Sequence, residues 1–339
     1  MLDDFVRKYR RYDIRYEVRS FESRSESLAT IRRPGADFDV FFPTVDAIGG
    51  LVAEGLLRPL NHDYLTNLGN IWPQFRGVGP FYDSGARFTV PYTVFSSGVG
   101  WRSDLVRPQD APSSAAAPFD IFWDPQYRGR VGVYDEYREA IALALVHEGV
   151  RNLNTTDPSA LATAADALTQ MARAVDVRAT TEGAYEGLPK GEFAVHQAWS
   201  GDLLAAPRFG GAPASTPLLR YWWPADGTGV AGCDLLAILA GGRNPVLAHA
   251  FLDHLIDPEV AMRNFSWNDY QPPVLPATIE VLSSLGSRAR PVVPENLLSA
   301  LLSPEEFDRS TMLLPLAPAA DALWTSAWAK FTASVDVTG

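Results

Sequence analysis

Two carboxylates three residues apart, Glu136 and Glu139 in Asp135-Glu136-Tyr137-Arg138-Glu139, have the widest chemical scope in this 339-residue chain. They fall on the first turn of a helix expected from 136 to about 148, directly after an apolar strand at 131–134. Residues at that spacing share a helical face, and the positive end of the helix stabilises ionised carboxylates. Such a pair is a receptor for ammonium groups, although acidic residues also favour any helix N-terminus. Paired carboxylates can instead do acid–base work when their surroundings split their pKa values. These two lie one turn apart on a single element rather than across a cleft, which argues against a hydrolase. The chain carries no G-x-S-x-G elbow, P-loop, G-x-G-x-x-G or H-E-x-x-H sequence. The second group is Trp199-Ser200-Gly201-Asp202, which ends a β-prone run that follows the glycine-bounded turn at 187–191. In open α/β sheets ligands sit outside the carboxyl ends of strands, so Trp199 and its followers read as binding-site chemistry.

Alternating strands and helices must position these groups, which implies an α/β fold with mostly parallel sheets. The pattern predicts a helix over 2–9, a strand over 13–18 and a fully buried strand over 38–42. A helix should follow, with Thr44 as its N-cap and Gly55 as its stop. Strands are expected at 88–93 and 98–101, and a Pro/Ser/Ala-rich loop at 107–118. Asp157-Pro158 opens a further helix, and Tyr221 to Gly229 makes a turn before a strand at 234–239. Helices are predicted at 245–256, 258–265 and 318–333, the last with Trp324 and Trp328 as packing residues. With 47% hydrophobic and 20% charged residues, the chain is long enough for two lobes with a core each. No run approaches 18 apolar residues. A net charge of −11 argues against non-specific nucleic-acid binding and favours cationic partners. The one cysteine, Cys233, excludes an internal disulfide and reads as a small buried hydrophobe. Five scattered histidines give no metal-ligand spacing, so neither a metal nor a cofactor is expected.

Three stretches carry a resemblance. Gly191 to Asp202 resembles the "G-E-x-A-x-x-x-W-S-G-D" segment of bacterial extracytoplasmic solute-binding proteins of the spermidine/putrescine type. Trp123 to Val131 resembles their "W-x-P-x-Y-x-G-x-(V/L)", and Phe251 to Ala261 their "F-(I/L)-(N/D)-x-L-L-x-P-E-V-A". The resemblance implies a two-lobed, type II periplasmic-binding-protein-like clamshell, with 1–102 plus 233–256 as N-terminal lobe and 103–232 plus 257–339 as C-terminal lobe. It implies a monomeric receptor outside the cytoplasm, not an enzyme. Such a receptor captures a small organic cation, spermidine or putrescine, between its lobes and serves the membrane subunits of an ABC importer. Carried over by position, Glu136 and Glu139 match the acids of "D-D-x-R-E", Trp199 a cage aromatic, and Asp234 the aspartate of "W-M-D". Thr44 falls where the family has a serine, Asp46 where polyamine binders have a tyrosine, and Leu314 near a family glutamine. Gly232 stands where the family has a cage tryptophan, which removes an aromatic wall or changes the ligand. The family also has a strand before its first helix; this chain as written starts one strand late and without an export signal, which would leave strand edges exposed. Three alternatives stay open: a same-fold receptor for another small metabolite, a carboxylate-based hydrolase, and a remnant without function.

Overall fold

The computed structural model describes residues 2–21, 24–113, 117–209, 213–287 and 290–335, so part of the expected 107–118 loop lies outside the described residues. The strands that bear on function are β1 (Val40–Phe41), β2 (Thr89–Arg102), β3 (Val131–Val133), β4 (Arg178–Ala179), β5 (Val195–Trp199), β6 (Leu219–Trp222) and β7 (Val230–Ile238). The main helices are α1 (Leu2–Lys8), α2 (Arg24–Ile31), α3 (Ile48–Ala53), α4 (Tyr137–His147), α5 (Pro158–Val175), α6 (Ser200–Phe209), α7 (Pro245–Leu255), α8 (Pro258–Asn268) and α9 (Pro318–Thr332). The chain forms two compact units: Met1–Thr93, Cys233–Trp267 and Pro272–Ala277 in the first, and Val94–Gly232, Asn268–Gln271 and Thr278–Gly339 in the second. The chain changes unit inside β2, between Thr93 and Val94, and inside β7, between Gly232 and Cys233.

In the first unit β1 pairs antiparallel with β7, Val40 opposite Ile238 and Phe41 opposite Ala237. β1 is an edge strand, and its other edge borders a groove of about 1020 Å3 lined in part by residues 14–19, Leu28, Phe38 and Phe251. The expected buried strand at 38–42 is therefore shorter and less buried than its apolar run suggests: Phe42 is 43% exposed. Residues 13–18 form no regular element and join no ladder, and Tyr16 and Val18 lie exposed at 49% and 65%. Their alternation mimics a strand, yet the interleaved Asp13, Arg15 and Glu17 hold the segment in water. Buried Asp83 anchors the start of β2, accepting the backbone N–H groups of Arg87, Phe88 and Thr89 at 3.0, 2.9 and 2.8 Å and the Thr89 hydroxyl at 2.7 Å. The two strands expected at 88–93 and 98–101 are one continuous strand of 14 residues.

In the second unit β3 pairs parallel with β4 and β5, whereas β2 pairs antiparallel with β5 and β6. The sheet is thus less parallel than the βαβ pattern predicts, because the crossing strand β2 runs against the strands of the local βαβ units. α5 starts as its sequence dictates: Asp157 accepts the Ser159 N–H at 2.9 Å and Pro158 occupies the first turn. Its stripe of Leu161, Ala164, Leu168, Met171 and Val175 is buried against α4 and α9. In α9, Trp324 packs as expected: it is fully buried and its indole N–H donates to the Thr155 carbonyl at 2.9 Å. Arg138 of α4 lies over that indole at 4.5 Å and donates to the Leu314 carbonyl and Asn154 Oδ1, each at 2.8 Å. Residue 314 therefore meets the helix through its backbone.

Candidate functional site

The first unit brings Thr44, Asp46 and Asp234 together. Thr44 precedes a short 3-10 turn (Val45–Ala47) that leads into α3. The expected N-cap bond is not made; the Thr44 hydroxyl donates instead to Asp46 Oδ1 at 2.6 Å. Thr44 and Asp234 are bridge partners at the end of the β1–β7 pairing. The Asp234 carboxylate accepts the Thr93 hydroxyl at 2.8 Å. Asp234 keeps part of its surface exposed, yet enough protein surrounds it that desolvation pushes its carboxyl up to about 6, against the opposing pull of the Thr93 bond. Its neighbour Cys233 is buried and its thiol pushed upward by burial and then by Asp234, so it is no nucleophile.

The second unit holds Glu136, Glu139 and Trp199. Glu136 is the N-cap residue of α4 rather than part of its first turn, with extended backbone (φ −137°, ψ 110°), and is half-buried. Glu139 is inside the first turn, 8% exposed, and lines a cavity of about 20 Å3 with Ser97, Gln197 and Phe119. That volume suits a single water molecule. Gln197 donates to the Glu139 carbonyl at 3.0 Å, which ties α4 to β5. Asp135, just before the pair, is held above the usual carboxylate range by burial and then by the charge of Glu182.

Trp199 ends β5 as the sequence predicts, half-buried and stacked on Tyr134 with ring centroids 4.0 Å apart and planes 20° apart. Phe95 of β2 meets the indole at 5.6 Å and Tyr270 at 6.1 Å. Ser200, Gly201 and Asp202 hold this aromatic group in place. The Ser200 hydroxyl accepts the Ser96 N–H at 3.2 Å. A Cβ on Gly201 would lie 2.6 Å from the Tyr270 ring, so only glycine lets that ring close down. Buried Asp202 accepts both the Tyr134 and the Tyr270 hydroxyls at 2.6 Å, while Tyr134 Oη accepts the Trp199 N–H at 2.7 Å. Desolvation first, and Asp202 next, push the Tyr134 phenol well above its ordinary range. The W-S-G-D sequence thus builds the platform that presents Trp199. Phe95, Tyr134, Thr93 and Tyr270 were not singled out by the sequence, since each is an ordinary residue of a strand or turn. Their partners lie 104 residues away for Phe95 and Trp199 and 68 for Tyr270 and Asp202.

Among the described residues no cluster of three or more His, Cys, Asp or Glu residues could hold a metal ion, and no helix is long and apolar enough to cross a membrane. Comparison with known proteins places the chain. Residues 3–281 match the family model described as bacterial extracellular solute-binding protein. The spermidine/putrescine-binding periplasmic protein of Salmonella typhimurium is 27% identical over 260 residues, covering 76% of this chain and 70% of that protein. The putrescine/cadaverine-binding protein of Pseudomonas aeruginosa is 28% identical over 242 residues, 71% of this chain and 67% of that one. Among solved structures, the spermidine/putrescine ABC transporter substrate-binding protein PotD of Streptococcus pneumoniae superposes with a TM-score of 0.77 at 21% identity, covering 98% of this chain and 94% of that one. The expected α/β, periplasmic-binding-protein-like fold is borne out by that likeness. With its family model matched over most of its length, the chain belongs to the bacterial extracellular solute-binding proteins.

Proposed function

We propose that this protein is the solute receptor of an ABC importer and that its solute is a small organic cation of the polyamine class, spermidine or putrescine. The observation that carries the reading is the chemistry of Asp234: a desolvated carboxylate, held by one hydroxyl and still open to solvent, gains most from an ammonium partner. In the second unit by itself, Glu136 at the N-cap of α4 is a further carboxylate and Trp199 an indole of the kind that packs a hydrocarbon chain. Thr44 faces Asp234 across a backbone bridge and donates its hydroxyl to Asp46, which adds polar groups to the same end of the β1–β7 pairing. The names of the relatives support the same solute class. The protein binds rather than reacts, works as a monomer outside the cytoplasm, and has no nucleic-acid partner, in keeping with its charge of −11. The glycine at position 232 favours a second reading, the same receptor tuned to another small cationic metabolite.

The test is isothermal titration of spermidine into the wild type, Glu136→Gln and Asp234→Asn. Charge-assisted hydrogen bonds contribute about 1.5–3 kcal/mol, so each variant should bind roughly 10- to 150-fold more weakly. Unchanged affinity in both variants would refute the assignment of these carboxylates.

A further inference from the structure

The glycine at position 232 is filled from elsewhere. A Cβ built on Gly232 would lie 2.4, 2.6 and 3.1 Å from three ring carbons of Phe95. Real Cβ atoms do not approach that closely, so the space in which a side chain at 232 would begin is already occupied by an aromatic ring rooted on β2. That ring is a buried one, at the part of the core that Trp199 shares. It keeps 9% of its surface exposed and contacts the Trp199 indole at 5.6 Å in a tilted arrangement and Tyr270 at 6.1 Å edge-on. Tilted and edge-on pairs are the favoured aromatic geometries. Phe95 therefore shares one aromatic cluster with the tryptophan assigned to the solute.

We infer that Phe95 is a specificity-determining residue of the solute site: it supplies from β2 the aromatic wall that position 232 of β7 lacks, and Gly232 is glycine because Phe95 is there. The inference rests on the cationic-solute reading above. It makes the two positions a reciprocal pair, one aromatic and one glycine, in which neither can be changed alone. The ring supports the Trp199 indole and adds aromatic surface beside it for an alkylammonium chain. Its removal should change both the strength of solute binding and the discrimination between chain lengths. A purely packing role would change stability alone.

The test has two readouts. In thermal unfolding, Gly232→Phe should melt several degrees below the wild type because its new ring collides with Phe95, and Phe95→Gly should melt lower because it opens a void. The double variant Phe95→Gly/Gly232→Phe should recover most of the loss. A Gly232→Phe protein as stable as the wild type, or a double variant that merely adds the two losses, overturns the inference. In titration at a temperature where both proteins are fully folded, Phe95→Leu removes the π-face with a small loss of volume and should bind spermidine roughly 3- to 30-fold more weakly. A Phe95→Leu protein that binds spermidine and putrescine as the wild type does overturns the inference. A wild type that binds neither amine refutes the polyamine reading and with it the solute role of Phe95, while the unfolding cycle still decides whether positions 95 and 232 are a reciprocal pair.

Discussion

Asp234 carries a cost in the empty protein. Its carboxyl titrates near 6 in the fold, against about 3.9 in an unfolded chain. Between those values the folded state holds the extra proton, so this residue makes stability fall as pH rises from about 4 to about 6. Asp234→Asn should therefore stabilise the unliganded protein by roughly 1–3 kcal/mol at pH 7 while weakening solute binding, a combination measurable as a raised melting temperature with a lost ligand-induced shift. A bound ammonium reverses the sign by favouring the charged form, so solute affinity should drop as pH falls below about 6 and binding near pH 6 should release a proton. Titration in two buffers of different ionisation enthalpy reads that release. An Asp234→Asn protein with lower stability than the wild type would mean that the Thr93 bond, not desolvation, governs the site.

Among the elements, β3, β5 and the π-helical turn Gly183–Gly187 close tightly on one side chain. His196 of β5 is fully buried there, its Nδ1 directed at the Gln197 carbonyl, and burial holds its imidazole down to about 4. The unfolded imidazole titrates near 6.5, so this residue contributes stability that is present above that pH and lost as pH falls toward 4, roughly 3 kcal/mol in all. His196→Gln should flatten the acid limb of the stability profile, as urea unfolding at pH 4.5 and 7 would show. Gly132 and Gly183 face the same ring, each with a Cβ position 2.0 Å from an imidazole atom. Gly183→Ala should cost about 1–3 kcal/mol or more, read as a lower urea midpoint; an unchanged midpoint would show that the imidazole moves aside freely. These elements were unequally legible in the sequence. α5 was readable because Asp157-Pro158 and a regular apolar stripe are local signals. Residues 13–18 misled because alternation marks a strand only where a sheet edge is available, and the sequence does not say where edges are. The candidate site divides in the same way. Trp199 followed from its place at the end of an apolar run, whereas Phe95 depends on a contact between positions 95 and 232, which no local pattern announces.

For the whole molecule, each unit is assembled from separated stretches of chain, so stability depends on late segments returning to early ones. In the second unit that return is α9, locked by the Trp324 indole under Arg138 and bonded to the Thr155 carbonyl. Trp324→Ala should lower stability by about 3–5 kcal/mol and weaken solute binding only through the loss of folded protein. Denaturant unfolding beside a titration well below the variant's melting temperature separates the two effects; a large affinity loss in fully folded Trp324→Ala would give α9 a direct part in recognition. Calorimetric titration of the wild type with spermidine at pH 7.5 decides whether this solute-binding protein takes a polyamine. The predicted result is saturable binding of one molecule per chain, weakened by added salt and by acidification through pH 6. No heat of binding with spermidine, putrescine or cadaverine, together with a melting temperature unmoved by any of them, would contradict it.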